Sequence, residues 1–375
     1  MYRVMKILRI IISWLYAAGV YIRHRLYDWG LFKSRSYDIP IVCIGNITVG
    51  GTGKTPMAEM LISSLSSKYN IALLSRGYGR RTKGYREVTV KDSYLDVGDE
   101  PLQIKLKFSN TTVVVCEDRA KAIDRIRKEH PEVNLILMDD GLQHRSVSAK
   151  INIIILDATR PVDNDYMMPR GRLRDLKSRL AVGHYFMVSK CPDSMTPLDR
   201  RIWHNNLRTI AYQKVYFSKM EALPIVPLFE FHDRESVGYA HQAILMAGVG
   251  NPRGFVSAAE MRFDVVDKYI VADHHRYNVD DMRILAEKHS RHPRAIILMT
   301  EKDAVKLRRA HNLPESMRRA MYYQPVRMQF IDGPDQNFIG KLMADIEQGG
   351  SLSDVATKET PAGRNSQSNE DNSSV

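Results

Sequence analysis

The stretch Ile41-Val-Cys-Ile-Gly-Asn-Ile-Thr-Val-Gly-Gly-Thr-Gly-Lys-Thr-Pro56 decides the fold. Its apolar run at 41–44 predicts a buried strand, its glycines a tight loop, and Lys54-Thr55-Pro56 the first turn of a helix. Gly50, Gly51 and Gly53 let backbone N–H groups approach a phosphate. The helix start behind them adds unpaired donors and a partial positive charge. Thr48, Val49, Gly50, Gly51, Thr52, Gly53, Lys54 and Thr55 are therefore the expected nucleotide-binding segment. Lys54 would reach the outer phosphates and the Thr55 hydroxyl would sit on Mg²⁺. The strict pattern G-x-x-x-x-G-K-[ST] asks for glycine where this chain has Thr48, and the glycines just after it can supply the same bend. A bound nucleoside triphosphate is expected.

A second signal is Leu135-Ile-Leu-Met-Asp-Asp-Gly-Leu-Gln-His144, an apolar strand ending in two carboxylates. Adjacent aspartates at a strand end are costly to leave unpaired. A P-loop upstream makes Asp139 and Asp140 the expected metal side. Val97-Gly-Asp-Glu-Pro101 is an acidic turn before a helix expected at 102–108. A carboxylate here can accept a proton from an attacking hydroxyl or hold metal, and Asp99 and Glu100 equally suit helix N-caps. Ser75-Arg-Gly-Tyr-Gly-Arg-Arg81 follows a strand at 71–74, where ligands of open α/β sheets lie. Arg76, Arg80 and Arg81 are thus candidate anion contacts. Met168-Pro-Arg-Gly-Arg-Leu-Arg174 offers guanidinium forks suited to a phosphate, or a solvated loop. Ala272-Asp-His-His-Arg-Tyr277 lacks a full zinc ligand set but suits a base or orienting histidine.

The chain's 375 residues carry a formal net charge of +12, which points to a polyanionic partner. Cys43, Cys116 and Cys191 show no C-x-x-C pairing and read as reduced core residues. Residues 5–22 are strongly apolar but interrupted by Lys6, Arg9 and Ser13, and a basic, aromatic stretch follows. A signal peptide, a short spanning helix, a buried terminal helix and a helix in the membrane surface are the competing readings of this segment. The last fits best, with cations on acidic headgroups and Trp14, Tyr16, Tyr21 and Trp29 at the interface. From Gly349 the composition suits a disordered tail.

The expectation is an α/β fold: a P-loop NTPase-like, mostly parallel sheet with helices on both faces. A smaller C-terminal α/β lobe and an N-terminal membrane-associated helix complete it. The expected boundaries are 1–36 for the helical segment, 37–208 for the P-loop core, 209–348 for the second lobe and 349–375 for the tail. A membrane-associated nucleotide switch is the rival reading. Guanine specificity would need [NT]-K-x-D, and the nearest strings, Ser189-Lys-Cys-Pro and Thr300-Glu-Lys-Asp, do not fit.

Taken together, Gly45-Asn-Ile-Thr-Val-Gly-Gly-Thr-Gly-Lys-Thr-Pro56, Ser75-Arg-Gly-Tyr-Gly79, Val97-Gly-Asp-Glu-Pro101, Asp139-Asp-Gly-Leu-Gln-His144, Asp273-His274 and Thr300-Glu-Lys-Asp-Ala304 resemble, in order, the tetraacyldisaccharide 4'-kinase family of Gram-negative lipid A synthesis. The resemblance spans roughly 5–340. It implies transfer of the ATP γ-phosphate to an acylated disaccharide 1-phosphate at the cytosolic face of the inner membrane. It implies ATP and Mg²⁺, Asp99 as general base with His274 as its partner, and Lys54 in catalysis. Glu100 becomes an accessory metal-side acid and Arg119 an active-site arginine. Arg76, Arg119, Arg172 and Arg174 are the substrate-side candidates. The family's Pro-Ala-Gly-Pro-Leu-Arg loop reads Pro-Arg-Gly-Arg-Leu-Arg here. No nucleic-acid partner is expected, and the chain is expected to act as a monomer.

Overall fold

The computed structural model describes residues 2–231, 241–310, 313–331 and 335–348, so the expected tail from Gly349 lies outside the described residues. Helix α1 (Tyr2–Asp28) precedes β1 (Ile41–Gly45), α2 (Lys54–Leu65), β2 (Ile71–Ser75), β3 (Arg86–Glu87), α3 (Tyr94–Val97) and α4 (Asp99–Lys107). Next come β4 (Thr112–Val115), α5 (Arg119–Glu129), β5 (Leu135–Asp139), β6 (Ile151–Asp157), β7 (Tyr185–Ser189), α6 (Pro197–Leu207), β8 (Lys214–Ala222) and β9 (Val226–Pro227). The second half adds β10 (Gln242–Ala247), α7 (Arg253–Glu260), β11 (Asp264–Ile270), α8 (Val279–Arg291), β12 (Ile296–Thr300), α9 (Glu301–Leu307), α10 (Glu315–Ala320), β13 (Met321–Gln324), β14 (Val326–Phe330) and α11 (Asp335–Glu347).

Nine strands form the larger sheet in the order β14-β8-β7-β6-β1-β5-β2-β4-β3. The seven inner strands are parallel, and only the edge strands β3 and β14 run antiparallel. A parallel sheet must be covered on both faces, which is why its strands read as unbroken apolar runs. Alternate residues go to opposite layers. Val42 and Ile44 pack with Met57, Leu61 and Leu102 on the face of α2 and α4. Ile41 and Cys43 pack with Ile123, Ile126 and Trp203 on the face of α5 and α6. All three cysteines are free and buried. The smaller sheet, β11-β10-β12-β13-β9, is parallel except for β9.

The expected lobe boundary at 208/209 does not follow the sheets. β8 continues the larger sheet beside β7, and the chain returns to it through β14. Residues 223–225 and Pro325 are the two crossings between sheets, and Leu223 N donates to Pro325 O at 3.0 Å. After the second crossing α11 covers the larger sheet. Phe338, 1% exposed, meets Tyr185, Tyr216 and Phe330 at ring separations of 5.0–5.5 Å.

Along α1, exposed Val4, Ile7, Leu8, Ile11, Leu15 and Ile22 recur at helical spacing. The helix is long and apolar enough to cross a membrane. Its other side is docked: Ser13 Oγ donates to Met167 O (2.7 Å), Tyr16 OH to Arg174 O (3.0 Å), and His24 pairs with Asp175 (2.6 Å).

Phe338→Ala should destabilise the protein by about 3–5 kcal/mol in urea unfolding, the usual penalty for emptying an aromatic core site. A loss below about 1 kcal/mol would show that α11 is not part of the core.

Candidate active site

Register brings the phosphate loop and the acidic strand end together, because Ile44 of β1 lies opposite Asp139 of β5. Strands β2 to β5 lie on one side of β1 and β6, β7, β8 and β14 on the other, and ligands of such sheets bind at the carboxyl ends of the strands where the order switches sides. Gly50 and Gly53 hold φ near +100°, a turn that a β-carbon would strain, and α2 starts directly after them. Thr52 accepts from Asn46 Nδ2 at 2.8 Å, and Thr48 pairs with Leu173. Lys190 bonds the Gly51 carbonyl and Asp157, bracing the loop from β7.

The two aspartates have opposite characters. Burial alone would raise the pKa of Asp140, yet Lys54 Nζ at 3.6 Å and the Arg174 fork hold it well below the carboxylate range. Asp139 is pushed up to about 7 by burial first and then by Glu100 and Asp140. One Asp139 oxygen accepts from Ser75 Oγ at 3.3 Å, and its Oδ1 is buried without a hydrogen-bond partner among the described residues. An orphaned carboxylate oxygen among further acids fits a divalent cation. Among the described residues no three His, Cys, Asp or Glu side chains form a self-contained metal cage. That suits Mg²⁺, which takes one or two carboxylates and fills its shell with phosphate and water.

Of the candidate arginines, Arg119 is fully buried, and two of its guanidinium nitrogens have no hydrogen-bond partner among the described residues. Burial pulls its pKa down to about 10, against the pull of Asp139 and Asp140. Arg76 is exposed at the end of β2, close enough to depress both Arg119 and His144. Arg174 is committed to Asp140 and Asn46 rather than free in a loop. Arg172 bonds Asp165 at 3.1 Å through its side chain, while its carbonyl accepts from Val49 N.

Asp99 does not precede its helix but opens it, with Gly98 as cap residue. It is 5% exposed, and His274 Nδ1 lies 3.0 Å from its Oδ2. Burial would raise its pKa, but the His274 bond, Lys302 and Lys306 bring it down to about 2. His274 comes from the loop after β11, in the smaller sheet. A β-carbon on Gly250 would lie 2.9 Å from Asp273 Oδ2 and 3.5 Å from Gly51 N, so the β10–α7 loop lies between the His274 loop and the phosphate loop.

A family model described as tetraacyldisaccharide-1-P 4'-kinase matches residues 5–346. The chain belongs to this family. The tetraacyldisaccharide 4'-kinase of Porphyromonas gingivalis is 38% identical over 346 residues, 90% of this chain and 96% of that one. Its Bacteroides fragilis counterpart is 36% identical over 345 residues, 90% and 92% of the two chains. In fold, the chain is similar to the crystal structure of LpxK from Aquifex aeolicus in complex with ATP. That match has a TM-score of 0.69 and 22% identity, and covers 92% of this chain and all of that one. Membership in a kinase family removes the nucleotide-switch reading.

Within this family member, several cleft residues escaped sequence reasoning. Ser75 stands in the sequence only as the start of a basic loop, Asn46 and Lys302 only as members of longer motifs, and Lys306 lies outside every motif. The one signal available for the lysines was their i, i+4 spacing at a helix start.

Asp139 also makes a measurable pH signature in the nucleotide-free protein. A carboxyl raised to about 7 in the folded state and near 4 unfolded stabilises the fold fully only below pH 4. That contribution is lost as pH rises to 7. Asp139→Asn should therefore gain thermal stability relative to the parent above pH 7 and lose the advantage near pH 4. Equal pH dependence of the two melting temperatures would refute the raised carboxyl.

Proposed function

We propose that this protein phosphorylates the 4'-hydroxyl of a tetraacyldisaccharide 1-phosphate with ATP, at the cytosolic face of the bacterial inner membrane and as a monomer. Family membership supports the reaction, and the Asp99–His274 contact is the observation that carries the mechanism. A sugar hydroxyl is a poor nucleophile, so a carboxylate must accept its proton as the new O–P bond forms. Asp99 is ionised, buried and backed by His274 for that task. The hydroxyl oxygen attacks the γ-phosphorus, the bond to the β–γ bridging oxygen breaks, and ADP leaves. Lys54 and the loop N–H groups hold the phosphates in line for this displacement. Thr55, Asp139 and Asp140 would hold Mg²⁺, with Glu100 in support, and the ion would neutralise charge on the phosphate oxygens. Arg119, with two unpartnered nitrogens, is the strongest anion contact of the four arginines, and Arg76 lies beside it. Arg172 and Arg174 act on the cleft through Asp165 and Asp140.

The membrane contact is read from α1. Its exposed apolar stripe would sit among lipid chains, while Ser13, Tyr16 and His24 fasten it to the body. The lipid acceptor would then reach the cleft without leaving the bilayer.

Incubation with γ-labelled ATP and tetraacyldisaccharide 1-phosphate, followed by thin-layer chromatography, should give a labelled lipid. No label in the lipid would refute the assignment. Lys54→Ala should reduce transfer by at least about 10²–10³-fold, the usual cost of a transition-state charge contact. Asp99→Ala should lower kcat by about 10²–10⁴-fold with ATP affinity nearly unchanged. A collapse of ATP affinity would make Asp99 a metal-site residue. Replacing both Trp14 and Leu15 by Glu should weaken binding to anionic vesicles by about tenfold or more, given the apolar area lost. Undiminished binding would exclude the stripe as the membrane contact.

A further inference from the structure

Thr300 caps α9 by accepting from Asp303 N, and the first turn of that helix delivers Lys302 into the cleft between the sheets. Its ammonium lies 3.1 Å from Glu100 Oε1, 3.3 Å from His274 Nε2, 3.5 Å from Asp273 Oδ1 and 3.8 Å from Asp99 Oδ2. Two of these groups belong to α4 on the larger sheet, and two to the loop after β11 on the smaller one. One lysine therefore grips both sides of the cleft at the point where Asp99 meets His274.

The chemistry of the ammonium decides what it does there. Lysine carries three donors and no acceptor. A bond to His274 Nε2 requires that nitrogen to present a lone pair, so the proton of a neutral ring sits on Nδ1. From there it is donated to Asp99 Oδ2, 3.0 Å away. Simple neutralisation of Asp99 does not need Lys302. Lys306, one turn further along α9, is 3.9 Å from the same carboxylate oxygen and is itself held by Asp303 at 3.2 Å. What Lys302 alone supplies is the donor on the far side of the ring. The Asp99 carboxylate, which only accepts, favours the same Nδ1–H, but without Lys302 nothing opposes a proton on Nε2 that would draw the ring towards Asp273 Oδ1, 3.8 Å away. The Tyr78 ring, 4.8 Å off, packs on the imidazole but offers no bond that would select a tautomer.

We infer that Lys302 is a positioning residue for phosphoryl transfer: by donating to His274 Nε2 it holds the ring as the Nδ1–H tautomer that orients Asp99, and by gripping Glu100 and Asp273 together it sets the spacing of the two sheets at the reacting centre. This rests on the reading of Asp99 as proton acceptor.

The test uses full-length protein labelled with ¹⁵N-histidine in detergent micelles, with long-range ¹H–¹⁵N correlation. His274 is assigned by the signals lost in His274→Gln. The wild type should show Nδ1 protonated and Nε2 bare, and Lys302→Met should lose that pattern. In the kinase assay Lys302→Met should lower kcat by about 10²-fold with the KM for ATP within about threefold, since an imidazole in the wrong tautomer is a poor partner for its base. Lys302→Arg should keep kcat within about tenfold, because guanidinium is also a donor without acceptors. A wild-type ring protonated on Nε2 overturns the inference, whatever the variants do. So does an unchanged kcat in Lys302→Met, or a Lys302→Arg as damaged as Lys302→Met. Full turnover in both Asp99→Asn and His274→Gln would instead fell the underlying acid–base reading, an outcome the wild-type spectrum keeps distinct.

Discussion

The bond between His274 and Asp99 joins side chains 175 residues apart, carried by different sheets. Neither sheet holds a complete site. The larger one supplies the phosphate loop, the adjacent Asp139 and Asp140 and Asp99, and the smaller one supplies His274, Asp273 and both lysines of α9. The reacting centre therefore depends on how the sheets are apposed, and several features hold them so. The two crossings run side by side and are bonded to each other through Leu223 and Pro325. Gln324 and Arg262 add side-chain bonds to the same junction. At the other end Gly250 leaves the room that lets the β10–α7 loop approach Gly51.

The charges of the cleft follow from that apposition. Asp139 and Asp140 are neighbours in sequence and both buried, yet their carboxyls are driven in opposite directions. Asp140 is satisfied by protein cations, Lys54 and Arg174, and so behaves as part of the loop's framework. Asp139 faces Glu100 and Asp140 with one oxygen unpaired among the described residues, and either a proton or a further cation relieves it. Arg119 is the mirror case, a buried guanidinium with two unpaired nitrogens that an anion would satisfy. A metal-bound phosphate carries both remedies at once. The cleft is thus poised by two unmet electrostatic demands of opposite sign, and Asp99 stands apart from them, already neutralised by its own cations.

Much of this was legible in the sequence wherever local chemistry is distinctive. The strands at 41, 71, 135 and 185 are unbroken apolar runs because parallel strands are buried on both faces. The phosphate loop announces itself through glycines followed by Lys54-Thr55. The membership of β8 and β14 was not legible. β8 is only partly buried along much of its length, β14 is an edge strand, and nothing local says which sheet an edge strand will join. The loop that carries Arg174 reads as either a phosphate clamp or a solvated loop because spacing cannot show that Asp140 lies across from it. The pairing of positions 99 and 274 comes only through the family resemblance, and the arrival of 302 and 306 beside them is hidden in the sequence, since only the packing of one sheet on the other brings them together.

The segment 173–175 shows why the apolar helix is not a detachable appendage. Leu173 pairs with Thr48, and Arg174 N donates to Ile47 O at 2.9 Å, so the segment is stitched to the phosphate loop. The Arg174 side chain holds Asp140, while its carbonyl accepts from Tyr16 of α1. Asp175 turns the other way to His24 of α1 and also accepts from Gln143, next to the acidic strand end. Three consecutive residues therefore tie the helix to the floor of the nucleotide site. A helix anchored by so short a link has its position set relative to the phosphate loop, with its exposed apolar stripe turned away from the docked side. The apolar N-terminus and the charged cleft, the two most dissimilar parts of the sequence, are in this way two sides of one structural unit.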